Sequence, residues 1–366
     1  MILSVKGEVS IISIKKKKVV VIGHFGGDED ITDGQTVKTK VLYSELQNST
    51  NWQLKKVDTY YKSKNPIKLF FNSVYALFSS NDIIVLLSGN GMKFYFPILF
   101  VFVRVFHKRI YHDVIGGNLD VYVKTLPQFR KYLNSFVVNW VETNGLKERL
   151  EKQDIENCEV IPNFKRLKII EAKDIVLEGK PPYRFCTFSR VMKEKGIEEA
   201  ISAVEKINSE CGDDYCSLDI YGLIDENYTK EILSIIENKP SIKYCGIVPY
   251  DKSVETLKDY YALLFPTYWQ GEGFPGTIID AFSAGLPVIA SYWNENPEII
   301  ENGMTGILIK PKDVISLYEG MKTLISDHEK RYEMSIKCLN EAKRYQPEKI
   351  IKMIVERINR GSRNSD

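Results

Sequence analysis

The chain has 366 residues, 44% of them hydrophobic and 27% charged, with a formal net charge of +2. That composition is ordinary for a soluble globular protein and offers nucleic acid no general attraction, while the length exceeds one typical core and predicts two domains. The charge is uneven: residues 1–165 carry 23 Lys and Arg against 16 Asp and Glu, and residues 166–366 carry 27 against 32. A basic first half fits either a peripheral contact with anionic lipid or a lipid-phosphate ligand, or simply a solvated surface.

Residues 1–14 read as an extension ahead of the fold, without assigned function. The Lys15–Lys18 run follows the apolar residues Val9 to Ile14 and precedes a strand, so it does not read as a signal peptide. Lys18 to Gly23 (KVVVIG) is an apolar run ending in glycine, the pattern of a first parallel strand. A Gly-rich loop, His24 to Gly34, leads into a helical pattern from Gln35 through Leu46. Ile83 to Leu87, Arg109 to Tyr111 and Phe136 to Val141 read as further strands. Between them, Phe94 to Phe106 (FYFPILFVFVRVF) is too short to cross a bilayer and is interrupted by Pro97 and Arg104. It reads either as a buried helix or as a monotopic patch ending in Arg104, Lys108 and Arg109.

After Ile161-Pro162-Asn163-Phe164 the pattern loosens into a charged stretch ending at Pro181-Pro182. The rhythm restarts with Phe185 to Phe188, a helix from Gly196 to Ile207, then Leu218 to Tyr221, Ile242 to Cys245, Ala262 to Phe265 and Val288 to Ala290. Alternating short apolar runs and helices predict an α/β protein with doubly wound parallel sheets. Ile350, Ile351, Ile354, Val355 and Ile358 form an apolar stripe at helical spacing. The six cysteines form no CxxC pair and no cluster with histidine, which predicts reduced thiols in a cytoplasmic protein and no metal site.

The most telling stretch is EGFPGTIID, residues 272–280, continuing as AFSAGLPVIAS. Glu272 and Asp280 flank a Gly/Pro-rich turn, and a helix starting near Pro275 or Gly276 would present unpaired N–H groups and a positive dipole end. Such a tip suits a phosphate or diphosphate, and the two carboxylates suit neutral hydroxyls, so the ligand suggested is part phosphate and part polyol.

This segment resembles the signature of family 4 glycosyltransferases, in which two glutamates separated by seven residues lie at the nucleotide-sugar site. Here the second acid is Asp280, shorter by one methylene. FSRVMKEKGIEEAI, residues 188–201, is similar to the family's diphosphate-binding segment, which implies that Arg190 and Lys195 hold the donor diphosphate. Arg supplies a planar fork and Lys a compact charge to phosphate oxygens. GGDEDITDGQTVKT, residues 26–39, resembles the family's loop after the first strand, with Gly34 allowing close approach of diphosphate or acceptor and Gln35 opening the helix. The Asp28-Glu29-Asp30 trio reads as a solvated loop rather than a metal site. YHDVIGG brings Gly116-Gly117 after a strand, and His112 lies near where related enzymes carry a histidine facing the donor sugar; the alternative is a structural histidine. His24 is a weaker candidate. Val141-Glu142-Thr143 and Ile161-Pro162-Asn163 resemble cleft-lining segments, and Gly222 and Gly246 to Val248 the loops around the nucleotide base.

The resemblance implies a GT-B fold of two Rossmann-like domains facing across a cleft: 1–165 for the acceptor, 166–345 for the donor, and 346–366 a helix crossing back to the first. It implies a retaining transferase that moves a sugar from a nucleoside diphosphate donor to a carbohydrate hydroxyl, with no permanent cofactor and no metal. Glu272 would hold donor-sugar hydroxyls, and Gly273, Phe274, Pro275, Gly276 and Thr277 would form the diphosphate tip, with Asp280 on the ribose. Bacterial surface-polysaccharide synthesis on a lipid-linked acceptor, with a contact at the inner membrane face, is the leading expectation. Two alternatives stand: a catalytically silent GT-B subunit, motivated by Asp280, and a dinucleotide-dependent oxidoreductase, motivated by VVVIGHFGG.

Overall fold

The computed structural model describes residues 16–29, 33–175 and 179–363, so the N-terminal extension and Asp30 lie outside it. Two six-stranded sheets follow one another along the chain. The first contains β1 (Lys18–Gly23), β2 (Gln53–Asp58), β3 (Asp82–Leu86), β4 (Arg109–Asp113), β5 (Val138–Val141) and β6 (Cys158–Val160), in the order β2-β1-β3-β4-β5-β6. The second contains β7 (Tyr183–Phe188), β8 (Cys216–Tyr221), β9 (Ile242–Gly246), β10 (Ala262–Phe265), β11 (Val288–Ser291) and β12 (Gly306–Ile309), in the order β12-β11-β10-β7-β8-β9. Every pairing is parallel. The doubly wound architecture expected from the alternating pattern is therefore present twice.

Past their first residues, Lys18 and Asp82, β1 and β3 are apolar runs, and β10 is apolar throughout, because helices cover both faces of a parallel sheet. Three strands went unpredicted: β2 and β6, which have no such run, and β12, whose run (GILI) is short. All three are sheet edges. β2 (QLKKVD) is mostly exposed or half-buried, β6 has three residues, and β12 opens on Gly306. An edge strand buries less, so its composition carries less of the signal.

The helices α1 (Gly34–Ser49), α2 (Pro66–Ser79) and α3 (Gly89–Phe106) belong to the first sheet. α2 starts with Asn65 capping the Lys68 N–H and proline in its first turn, the position where a missing N–H costs nothing. α3 runs through Pro97, which is exposed, and stops at His107 in the left-handed conformation, φ 51°. It buries Met92, Tyr95, Phe96, Leu99 and Phe102 on one side only. The apolar run 94–106 is thus half buried rather than wholly buried. No helix among the described residues is long and apolar enough to cross a membrane.

The last helix, Pro347–Arg363, places Ile350, Ile351, Ile354 and Ile358 in one buried cluster with Val19, Val21, Ile84, Tyr111 and Trp140 of the first sheet. The chain therefore returns to the first sheet after completing the second.

Candidate functional site

In the second sheet the strand order reverses between β7 and β10, with β8 and β9 on one side and β11 and β12 on the other. Loops leaving the carboxyl ends of two strands at such a point diverge and leave a crevice. Here those loops carry Lys195 and Glu272. Gly196 follows Lys195 at φ 72°, and a Cβ on it would stand 2.3 Å from the Pro266 carbonyl oxygen. Only glycine lets the two loops approach so closely. That approach seats Lys195 Nζ 2.5 Å from Glu272 Oε2, and Thr267 Oγ1 donates to the same oxygen at 2.9 Å. Both charged residues are buried, and Nζ lies 4.8 Å from the centroid of the Trp269 ring.

Glu272 leads into the helix Gly276–Ser283. Pro275 precedes it and provides no side-chain cap. Thr277 Oγ1 is buried at the tip without a hydrogen-bond partner among the described residues. Asn163 Nδ2 donates to the Phe274 carbonyl at 3.1 Å and fixes the entry of the chain. An uncapped tip with a spare hydroxyl is chemically an anion acceptor.

The other glycine loop differs. At α1 the Asp33 carboxylate accepts from Gln35 N at 3.0 Å and Thr36 N at 3.1 Å. A carboxylate already occupies the place where Gly34 was expected to admit a diphosphate, and where a dinucleotide's phosphates would have to lie. Gln35 instead braces the first sheet, donating to the Leu86 carbonyl and accepting from Ser88 Oγ.

The remaining expected residues fall in different places. Asp280 Oδ2 lies 2.5 Å from Lys165 Nζ and Oδ1 accepts from Ser253 Oγ at 2.8 Å. Both oxygens are engaged in a residue 1% exposed, where the resemblance implied an acid free to meet a ribose. Arg190 is exposed and lines a shallow pocket with Leu223 to Asn227; no hydrogen bond or ion pair among the described residues joins it to Lys195 or to 272–277. Gly222 has φ +132°, and a Cβ there would meet the Ser189 carbonyl oxygen at 1.8 Å, so it packs the β8 loop against the β7 loop. Val248 is half-buried in the loop after β9. His24 Nδ1 pairs with Thr36 Oγ1 at 2.7 Å. Glu29 of the acidic trio is exposed and pairs with Lys64. No group of three or more His, Cys, Asp or Glu among the described residues is arranged to hold a metal.

His112 lies beneath α3 rather than in the crevice. It is fully buried, its Nδ1 3.0 Å from Asn139 Oδ1 and its ring edge-on to Phe96. Burial pushes its pKa down to about 4, against an opposing pull from the Asn139 hydrogen bond. Side chains alternate along a strand, so the next residue, Asp113, faces the other way. Asp113 Oδ1 meets Lys38 Nζ at 2.7 Å, and Lys38 meets Glu142 Oε1 at 2.8 Å. Burial works against the Lys38 ammonium, but the two carboxylates outweigh it and raise its pKa. Burial raises the Asp113 pKa, with Lys38 pulling it down.

This buried trio, absent from the sequence reading, ties the two sheets together. Glu142 Oε2 accepts from Phe274 N at 3.2 Å, the residue just before Pro275. Gly116 and Gly117 press on the same segment: a Cβ on Gly117 would lie 2.2 Å from the Glu272 carbonyl oxygen, and one on Gly273 2.9 Å from the Gly116 carbonyl carbon. Glu298 accepts from Asn144 N, Asn144 Nδ2 and Gly145 N at 2.7, 2.8 and 3.0 Å, and Arg149 pairs with Glu295 at 2.7 Å. Of the three, Glu142 was marked by its resemblance to a cleft-lining segment, Asp113 only by its place at the end of β4, and Lys38 sits unmarked inside GQTVKT.

With this geometry in place, residues 168–338 match the family model of glycosyl transferases group 1. The chain is 28% identical over 174 residues to the GtfA subunit of UDP-N-acetylglucosamine–peptide N-acetylglucosaminyltransferase from Streptococcus pneumoniae, covering 46% of this chain and 33% of that protein. It is 24% identical over 173 residues to N,N'-diacetylbacillosaminyl-diphospho-undecaprenol alpha-1,3-N-acetylgalactosaminyltransferase from Campylobacter jejuni, covering 47% and 43%. The chain thus spans less than half the length of these curated relatives. Among solved structures, Anabaena HepE in complex with UDP superimposes with a TM-score of 0.73 at 15% identity, over 94% of this chain and 100% of that one. The fold is GT-B.

Proposed function

We propose that this chain is a retaining glycosyltransferase that moves a sugar from a nucleoside diphosphate donor to a hydroxyl of a lipid-linked carbohydrate acceptor, at the inner face of the membrane. One observation carries the reading: a buried lysine–glutamate pair leads into an uncapped helix tip whose threonine hydroxyl has no partner among the described residues, in the crevice of the second sheet. Lys195, the N–H groups at Gly276 and the Thr277 hydroxyl would hold the diphosphate. Glu272 would accept hydrogen bonds from donor-sugar hydroxyls. Arg190 would reach the diphosphate from the rim by reorienting its guanidinium, which is bonded to no side chain among the described residues. In the transfer, the bond from the anomeric carbon to the diphosphate oxygen breaks and one to the acceptor oxygen forms. The acceptor proton passes to the departing phosphate, whose growing charge the cation and the helix tip stabilise. The matched family model, the UDP in HepE and the lipid-diphosphate in the Campylobacter relative's name support this reading.

The test is a thermal-shift series with UDP, GDP and dTDP and their sugars. A ligand at a hundred times its Kd stabilises the fold by about 2.7 kcal/mol, a rise of several degrees in melting temperature. A rise with one nucleotide family supports the assignment; no rise with any at millimolar concentration overturns it. A catalytically silent subunit is the second reading, favoured by the engagement of Asp280 with Lys165 and Ser253. Donor hydrolysis or transfer by the purified chain excludes it.

A further inference from the structure

The first sheet has its own point of reversal, between β1 and β3. A cavity of about 290 Å³ lies there, separate from the Lys195–Glu272 cluster. His24, Gln35 and Ser88 line it where the two strand loops diverge, and Leu69, Phe70 and Phe94 line it between α2 and α3. Polar groups on one part and aromatic and aliphatic groups on the other fit an amphiphile better than a free sugar.

Outside the cavity both helices turn apolar stripes to solvent. On α2, Ile67, Phe71, Tyr75 and Phe78 are 71%, 64%, 68% and 52% exposed, at the spacing of a single helical face. On α3, Val101 and Val105 are 49% and 61% exposed, and Phe94, at the cavity's edge, is 51% exposed. The two helices touch where Phe78 packs against Phe102 and Phe106, so the stripes lie on adjoining helices. Exposed apolar side chains gathered on adjoining helices, rather than scattered singly, mark an interaction face.

Charge selects the partner. Between Thr59 and His112 the sole acid is Asp82, which is buried and held by Arg109. Lys62, Lys64, Lys68, Lys93 and Arg104 in the same span are exposed. Apolar helix faces bordered by cations, with no acid on either helix, are complementary to an anionic lipid surface.

We infer that α2 and α3 dock this chain on an anionic lipid bilayer, and that the cavity between them receives the lipid end of the acceptor from that bilayer. The docking stands on the helices alone; the acceptor's place in the cavity rests on the transferase reading. From this position the acceptor enters the first sheet's crevice while the donor stays in the second's.

The full chain is co-sedimented with vesicles of phosphatidylcholine alone and of phosphatidylcholine mixed with phosphatidylglycerol. Binding at least about tenfold stronger to the anionic vesicles is expected, falling as salt is raised. The variants Lys68→Gln/Lys93→Gln/Arg104→Gln and Phe71→Ser/Tyr75→Ser should each lose that preference while keeping the wild-type melting temperature and its shift with UDP. Equal binding to both vesicles, no binding, or variants that bind like the wild type would overturn the docking. A vesicle-free dimer that both variants dissociate would also overturn it, since a second copy would then cover the face. For the cavity, the emission of a Phe70→Trp variant should shift to the blue and saturate with farnesyl phosphate but not with inorganic phosphate. Absence of that saturation refutes the cavity assignment whatever the vesicles show, and the UDP shift separates both outcomes from failure of the donor reading.

Discussion

Lys195 and Glu272 are each buried against the other, and each would be costly to leave alone. Removing one partner of such a pair strands a charge in a poorly solvated site. Under the proposed function, both also lose contacts that strengthen as the diphosphate departs. Lys195→Ala and Glu272→Gln are each expected to lower kcat/KM by at least about tenfold, or about 1.4 kcal/mol of transition-state stabilisation. Steady-state transfer assays on variants with matched melting temperatures check this; wild-type turnover in both would remove the site. His112 makes a different prediction, about stability. Its pKa is held at about 4 by burial, below the ordinary histidine value near 6.5. The unfolded chain therefore binds a proton that the folded one refuses. Its stabilising effect is complete above pH ~6.5 and is lost as pH falls toward 4, amounting to about 3 kcal/mol. Urea midpoints between pH 7 and 4.5 should drop more steeply for the wild type than for His112→Gln.

At the scale of elements, loops rather than sheets carry the sharpest constraints. Gly222 combines φ +132° with a Cβ position 1.8 Å from a backbone oxygen, and neither the Ser189 carbonyl nor the strand behind it can yield cheaply. Gly222→Ala should therefore lower stability by about 2 kcal/mol or more, read as a shift in the urea midpoint. Gly34, with nothing within 4 Å of an added Cβ, should tolerate the same change with little loss. The contrast between these glycines was not visible in the sequence, where both merely followed strands. The difference between the helix tips at Gly276 and Gly34, by contrast, turns on the residue before each helix, Pro275 leaving one open and Asp33 closing the other.

Across the whole molecule, polar and charged bonds join the loops of the two sheets: Glu298 to Asn144 and Gly145, Glu295 to Arg149, and the Lys38–Asp113–Glu142 trio to Phe274. The Glu298 contacts among them lie exposed and exchange readily for water, so the two halves are expected to separate more easily than either unfolds. Glu298→Ala should increase the radius of gyration measured by small-angle scattering without UDP, and leave the melting temperature within a few degrees. An unchanged radius would mean that the other contacts suffice to hold the crevice closed.

The amino-acid sequence by itself determined the two parallel sheets and the turn-to-helix segment at 272–280, because central strands and uncapped turns write themselves into local composition. Strands buried on both faces are mostly apolar, and a Gly/Pro turn before a helix is a short-range feature. The tertiary structure alone decided which charges meet. Lys195 reaches Glu272, and Lys38 reaches Asp113 and Glu142, through strand order and loop approach between residues 75 to 104 positions apart. It also decided that Asp113, not His112, faces this network, since a shift of one residue along a strand reverses the side chain. Pairing of buried charges is a long-range property, and no local window of sequence contains it.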